Sequence, residues 1–389
     1  MLKLIKTFFR SIVYFLFGCL YFCFRIFPIQ KNKLFIQNLN GKGYGDNPKY
    51  IVEEILRRNL DLKIVWAVMP NFSRNFPENV KIVRYRSIRA IFEEATAKIW
   101  IDNCRKQLYV QKRKNQYYIQ TWHGGPNVLK RIEKDAGSSL ILYYVTQAKH
   151  DSSIINLFLS CEKDRVSFYN STFWYNGEIF DCGSPCDDIF FTSRDEIKDK
   201  VYSSFSLDKS KKIILYAPTF RNNFDPDVFD LDYYSILDFL SQKTHDQWVF
   251  LVRMHPNLTK KAGFIKYTDT IINASNYDDT QEIMYASDIL ISDYSGVILE
   301  FSMMKKPVFL YAKDYKSYVS ERNFYYDLFS LPYPVAQSNA ELISNISQFN
   351  DKSYKKKLDD FFKKIKLTDN GSASEKVVDR IMEKINEIS

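Results

Sequence analysis

The sequence predicts an α/β protein of two doubly wound domains facing each other across a cleft. Three observations carry that prediction. Short, almost continuous apolar runs alternate with helix-like segments, as in parallel strands covered on both faces by helices. The alternation breaks in the polar stretch TSRDEIKDKVYSSFSLDKSKK (192–212) and then restarts, which marks a domain boundary. A chain of 389 residues is too long for one compact core and suits two.

The elements follow in order. KLFIQN (33–38) reads as a strand. GKGYGDNPKYIVEEILRR (41–58) reads as a glycine-rich loop running into a helix through Asn47-Pro48, because proline suits a first helical turn. Gly41, Gly43 and Gly45 alternate and so lack dinucleotide-loop spacing; a mobile loop is expected there. LKIVWAVM (62–69) and VKIVRYRS (80–87) are strands, IRAIFEEATA (88–97) is a helix, and KIWIDNC, QYYIQTW, LFLSCE and EIFDCG (98–104, 116–122, 157–162, 178–183) are further strands. Beyond the linker, KIILYAPTF (212–220), QWVFLVRMHP (247–256), DTIINAS (269–275), DILISDYS (288–295) and PVFLYA (307–312) are strands. DLDYYSILDFLSQ (230–242), DTQEIMYAS (279–287) and GVILEFSMMKK (296–306) are the helices between them. The tail YKKKLDDFFKKIKL (354–367) is basic and amphipathic; it either closes the fold as a helix or touches a membrane. The expected limits are an N-terminal segment 1–30 and domains 31–200 and 201–389.

Hydrophobic residues make up 46% of the chain, which excludes wholesale disorder. A formal charge of +9 suits an anionic partner such as a nucleic acid, a nucleotide or a membrane face, and charge alone does not choose. Cys182 and Cys186 in CGSPC lack CxxC spacing and no His/Cys cluster accompanies them, so free thiols in a reducing compartment are expected for all six cysteines. The N-terminus carries Lys3, Lys6 and Arg10, an uncharged run from Ser11 to Phe24, then Arg25. That run is shorter than the ~20 residues a spanning helix needs. An apolar membrane-associating helix held on an anionic inner leaflet by its flanking basic residues is expected, the alternative being a helix packed on the protein's own surface.

In open α/β sheets ligands bind beyond the C-terminal strand ends. Four such ends hold reactive groups: His123 with Gly124 and Gly125; Thr219 and Arg221 in APTFR; Arg253 and His255 in RMHPN; and Asp293, Ser295, Gly296 and Glu300 in SDYSGVILEF. Ser295 and Gly296 open a helix whose first N–H groups suit a pyrophosphate, or else form an ordinary cap. An imidazole can move a proton at cellular pH. His150 and His245 lack such a setting and read as structural or surface residues. No P-loop, HExxH or GxSxG motif occurs.

Taken together, GKGYGDNPKYI, TWHGGPNVLK, GSPCDDIF, ILYAPTFR, RMHP, ISDYSGVILEFSMMKKPVFLY and ERNFYYDL resemble the CDP-glycerol glycerophosphotransferase family, from about Asn38 to about Pro334. The resemblance implies a GT-B-like fold of two Rossmann-like domains, an N-terminal acceptor domain and a C-terminal nucleotide-donor domain, peripheral on the cytoplasmic face of the membrane. It implies transfer of glycerol phosphate from CDP-glycerol to a hydroxyl of a lipid-linked acceptor, with release of CMP. His123 is then the general base, with Gly124 and Gly125 beside it at the substrate. His255 binds or protonates the donor phosphates; Arg253, Thr219 and Arg221 line the cleft; Ser295 and Gly296 hold the pyrophosphate; Asp293 and Glu300 orient the donor. The partners implied are a CDP-polyol, a lipid-linked acceptor and an anionic membrane surface, and not nucleic acid. No metal-ligand cluster is visible; a Mg²⁺ ion carried on substrate phosphates leaves little trace in a sequence. The chain departs from the family pattern at Gly125, Gly296, Glu300 and Pro185-Cys186-Asp187-Asp188. These departures leave the donor open between CDP-glycerol, CDP-ribitol and another activated polyol, and the setting between teichoic acid and capsule. A GT-B glycosyltransferase using a nucleotide sugar shares the same features, whereas a membrane scaffold leaves His123 and His255 without a role.

Overall fold

The computed structural model describes residues 2–123, 133–135, 141–162, 166–221, 225–255, 263–322 and 324–387. They form two compact units, one holding the described residues up to Asp188 and from Thr368 onward, the other those from Ile189 to Leu367.

In the first unit the strands are β1 (Gln30–Gln37), β2 (Lys63–Val68), β3 (Val80–Arg84), β4 (Ala97–Asp102), β5 (Tyr117–Gln120), β6 (Leu157–Ser160) and β7 (Glu178–Asp181). They form one sheet in the order β3-β2-β1-β4-β5-β6-β7. Every pairing is parallel. The order reverses between β1 and β4, the switch point of a doubly wound sheet. Leu34, Phe35 and Ile36 of β1 are wholly buried, because neighbours cover both sheet faces. The helices are α1 (Leu2–Cys23), α2 (Asp46–Arg57), α3 (Ile88–Thr96), α4 (Leu142–Ile154) and α5 (Val166–Thr172). Helix α3 begins at Ser87, whose hydroxyl accepts the Ala90 N–H at 3.1 Å. It passes into β4 without a loop. Gln116 caps that junction by donating to the carbonyls of Glu94, Ala95 and Ala97 at 3.0, 3.3 and 2.7 Å.

Helix α1 is two-faced. Tyr14, Phe17 and Tyr21 close around Tyr109, and the Tyr14 hydroxyl donates to Gln107 at 2.7 Å. The Tyr21 hydroxyl donates to Glu94. Phe15, Leu16 and Phe22 point outward, 72%, 53% and 67% exposed. The helix therefore does pack on the protein's own surface, and it keeps a second apolar face. Among the described residues no helix is long and apolar enough to cross a membrane.

The second unit holds β8 (Lys212–Tyr216), β9 (Trp248–Val252), β10 (Ile271–Asn273), β11 (Ile289–Ser292), β12 (Val308–Tyr311) and β13 (Val335–Ala336). They form one parallel sheet in the order β10-β9-β8-β11-β12-β13, reversing between β8 and β11. Its helices are α6 (Asp195–Ser204), α7 (Tyr233–Thr244), α8 (Thr280–Ala286), α9 (Val297–Ser302), α10 (Tyr315–Arg322), α11 (Asn339–Ser347) and α12 (Asp351–Ile365). Separate apolar clusters cover the two sheet faces. Helix α12 packs as a closing helix, burying Tyr354, Leu358, Phe361 and Ile365 under its lysines.

Chain order and the fold disagree in three places. The polar stretch 192–212 is no linker: it contains α6, whose Val201 and Tyr202 enter the core, and two apolar positions suffice for so short a stripe. The loop expected to be mobile is packed, with Gly41, Gly43 and Tyr44 buried and the Asn38 amide donating to the carbonyls of Lys42 and Gly43. Chain order also puts the last helix, α13 (Ala373–Asn386), with the second domain, yet its Val377, Val378 and Ile381 complete the core of the first. No disulfide forms among the described residues.

Candidate active site

In the first unit, β5 ends at Gln120 and delivers His123 two residues beyond Thr121. The ring Nδ1 faces the Asn103 carbonyl, which can only accept. Nδ1 therefore carries the proton, and Nε2 is the unprotonated nitrogen of the neutral ring. Trp122, in the left-handed conformation at φ 57°, stacks on the imidazole with centroids 4.8 Å apart. Its N–H donates to the Gln120 side chain at 2.9 Å, and the Arg105 guanidinium covers its indole at 5.3 Å. Arg105 is buried and held by Glu133 at 2.8 Å and Asp151 at 3.1 Å.

An amide network fixes this turn. Asn47 donates to the carbonyls of Thr121 and Trp122 at 3.4 and 3.3 Å and accepts the Cys186 N–H at 3.0 Å. Asn103, which holds His123 through its carbonyl, donates its amide to Asn38 at 2.7 Å and accepts the Leu39 N–H at 2.7 Å. Three stretches distant in the chain (38–47, 103–123 and 182–186) thus meet at one end of the sheet. Asp102 lies just behind; burial pushes its carboxyl up to about 6 although Lys106, at 3.0 Å, pulls the other way.

In the second unit, β8, β9 and β11 lie side by side, so the segments after them emerge at one edge. The Asp293 carboxylate accepts the Thr219 N–H at 2.9 Å, the Thr219 hydroxyl at 2.6 Å, the Tyr294 N–H at 2.6 Å and Arg221 at 2.8 Å. Arg221 also donates to Asp314 at 2.6 and 3.0 Å and to the Thr219 carbonyl at 2.7 Å, and lies over the Tyr294 and Tyr318 rings. Burial alone would lower the Arg221 pKa; Asp293 and Asp314 outweigh it and raise it. Arg253 donates to the carbonyls of Ala274 and Tyr277 at 3.0 and 2.8 Å. His255 is exposed, its ring 5.6 Å from that of Phe220.

Thr219, Arg221 and Asp293 thus form one hydrogen-bonded cluster, with Arg253 and His255 just past the end of the adjoining strand β9. Ser295 caps the next turn, its hydroxyl 3.5 Å from the Val297 N–H, and α9 runs for only six residues rather than on to Lys306. Glu300 faces inward, buried, and accepts the Gln281 amide at 3.3 Å. Gly124 and Gly125 lie outside the described residues. His150 bonds the Val110 carbonyl at 2.9 Å, and His245 ends α7 in the left-handed conformation. Among the described residues no His/Cys/Asp/Glu group has the arrangement of a metal site. Sequence reading missed Asn38, Asn47, Asn103 and Asp314; only the position of Asn47 beside Pro48 in the glycine-rich loop hinted at a role.

Two parallel-sheet α/β units with histidines and arginines beyond their strand ends define a GT-B-like protein. The family model described as CDP-Glycerol:Poly(glycerophosphate) glycerophosphotransferase matches residues 19–383, and the chain belongs to that family. It is 28% identical over 373 residues to a teichoic acid poly(glycerol phosphate) polymerase of Staphylococcus epidermidis, covering 92% of this chain and 52% of the relative. It is 29% identical over 392 residues to a teichoic acid poly(ribitol-phosphate) polymerase of Bacillus spizizenii, covering 97% of this chain and 60% of the relative. A solved structure of the wall teichoic acid polymerase TagF superposes with a TM-score of 0.82 at 26% identity, over 100% of this chain and 99% of that one. The chain spans about half the length of the first curated relatives it matches.

Proposed function

We propose that this chain transfers a polyol phosphate, with glycerol phosphate the first candidate, from a CDP-polyol to a hydroxyl of a lipid-linked teichoic acid or other cell-surface glycan acceptor. The observation that carries the reading is His123: a member of this family holds an imidazole at a strand end with Nδ1 against a carbonyl, an arrangement in which Nε2 is the basic nitrogen whenever the ring is neutral. In the step proposed, Nε2 takes the acceptor hydroxyl proton. The acceptor oxygen bonds to the polyol-bearing phosphorus, the bond from that phosphorus to the bridging oxygen breaks, and CMP leaves with that electron pair. His255 binds or protonates the leaving phosphate. Arg253 adds positive charge at the same strand end, and the Ser295–Gly296 turn supplies N–H groups, since phosphoryl transfer depends on positioning and charge stabilisation. Thr219, Arg221 and Asp293 satisfy one another, so their role is to hold the donor-side loops in shape. Glu300 acts through the helix it anchors.

The test is CMP release by the purified protein offered CDP-glycerol, CDP-ribitol and nucleotide sugars with a lipid extract. Release from one CDP-polyol, reduced about 10²–10⁴-fold in His123→Ala, is the expected result. Turnover within twofold of the parent sinks the base assignment. Release from a nucleotide sugar alone favours the glycosyltransferase reading. Relatives named for glycerol phosphate and for ribitol phosphate match at nearly equal identity, so the donor panel decides the polyol.

The same reading sets the chain on the cytoplasmic face of the membrane, with the outward face of α1 as its apolar contact. Phe15, Leu16 and Phe22 supply that surface, and Ile26 extends it just beyond the helix.

A further inference from the structure

We propose that a basic groove at the N-terminal edge of the first unit's sheet binds the phosphate of an anionic lipid headgroup. The proposal rests on the membrane-face reading above and adds a site to it. The groove encloses about 700 Å³ and is lined by the starts of β1, β2 and β3 and one face of α3. His123 follows the C-terminal end of β5, so in this parallel sheet the groove lies at the opposite edge from the candidate base.

Its charge is unbalanced. Lys33, Lys63, Lys81 and Arg89 line it, against Asp61 and Glu93. Three of the cations converge on one carboxylate: Glu93 accepts Lys33 at 2.9 Å, Lys81 at 2.7 Å and Arg89 at 2.6 Å. One carboxylate cannot neutralise three cations. The ammonium of Lys81 has three donors and the Arg89 guanidinium five, more than Glu93 accepts, and both side chains are over half exposed. A phosphate entering the groove would meet donors already held in place, one buried ammonium behind two exposed cations.

What makes the phosphate a lipid's is the neighbouring surface. Phe92 forms part of the groove wall and carries the Lys33 ammonium at 5.4 Å and the Arg89 guanidinium at 5.3 Å on its ring. The rings of Phe24 and Phe27, at the end of α1, pack on the same Phe92 at 5.4 and 5.3 Å. Beside them Ile26 is 82% exposed and Ile88, at the start of α3, 59%. An exposed apolar rim against a cationic groove matches the acyl-to-headgroup boundary of an anionic bilayer.

The experiment is vesicle co-sedimentation of the full chain with phosphatidylcholine alone and with added phosphatidylglycerol. Three variants are compared with the parent: Lys81→Gln with Arg89→Gln, the charge-keeping Lys81→Arg with Arg89→Lys, and Phe15→Ser with Phe22→Ser. Lys33 is left intact so that the buried Glu93 carboxylate keeps its buried cation in every variant. The glutamine pair should weaken binding to phosphatidylglycerol vesicles roughly fivefold to thirtyfold, each basic group contributing about fivefold. It should leave phosphatidylcholine binding unchanged, and the charge-keeping pair should bind like the parent. The serine pair should weaken binding to both vesicles. A glutamine pair that binds phosphatidylglycerol like the parent overturns the groove and returns Lys81 to the role of an edge-strand charge and Arg89 to that of a helix-surface charge. A parent that binds neither vesicle overturns the membrane reading itself. Release from the vesicles by inorganic phosphate, but not by chloride at equal ionic strength, is expected of a groove that holds the headgroup phosphate; a glutamine pair that loses inorganic phosphate binding yet holds phosphatidylglycerol vesicles like the parent overturns the lipid assignment in favour of a free anion.

Discussion

At the scale of single residues, His123 draws its proposed chemistry from groups that have none of their own. An amide side chain is inert, yet Asn47 joins the carbonyls of Thr121 and Trp122 to the Cys186 N–H. Asn47→Ala should lower kcat about tenfold or more while leaving KM within about threefold, because the imidazole loses its aim rather than the substrate its contacts. An unchanged kcat in a variant with parental circular dichroism would show that the turn holds without it. The candidate residues were legible in the sequence, because histidines in Gly/Pro turns after apolar runs are conspicuous. Asn38, Asn47 and Asn103 were not, since an amide's role depends on which carbonyl folding brings beside it. Arg221 and Asp293 were legible as residues of interest but not as partners: 72 positions separate them, and the salt bridge exists only because β8 and β11 are neighbours.

At the scale of elements, strands were read well and helices less so. A strand buried on both faces announces itself by apolar content alone, as β1, β4, β9 and β11 do. Helix α6 hides because a short helix against a sheet needs only Val201 and Tyr202 buried, leaving a segment that reads as polar. The glycine-rich loop shows the reverse: its composition suggests freedom, while its geometry is constrained. Gly41 has φ +87°, and a Cβ there would meet the Tyr85 ring at 2.8 Å. Gly41→Ala should cost at least about 1–2 kcal/mol from the left-handed backbone alone, read as a lower denaturation midpoint. A midpoint equal to the parent's would mean that the loop relaxes freely. Helix α1 also changes how membrane binding is best tested. Deleting residues 1–28 would strip Tyr109 and Phe92 of their ring partners, so substitutions on the outward face are the cleaner probe.

At the scale of the whole molecule, the chain closes its first unit with its last helix. Ile381 of α13 is fully buried among residues of that unit's core. Ile381→Ala should destabilise by about 2–5 kcal/mol. The loss belongs to the first unit, so hydrogen exchange should accelerate in β1 and α2 and not in β8 or β9. Equal acceleration in both would show that the two units unfold as one. The first unit also carries an acid-sensitive cluster. Burial opposes ionisation of Glu93, but bonds from Lys81, Lys33 and Arg89 prevail and hold it at about 2 against an ordinary 4.5. With the folded value below the unfolded one, its stabilising contribution is complete above pH 4.5 and is lost as pH falls toward 2. Glu93→Gln should flatten the fall in thermal midpoint across that window, and an identical slope in the variant would assign the acid sensitivity elsewhere.

The sequence alone determined the two parallel α/β units, the strands that build them and the strand ends that bear reactive groups. Those properties are local: periodicity, turn chemistry and apolar content act over a few residues. Only the tertiary structure decided where the units divide, that α13 returns to the first, that α1 packs one face and bares the other, and which amides and carboxylates hold the site. Those are properties of strand order, and strand order joins residues that chain position keeps far apart.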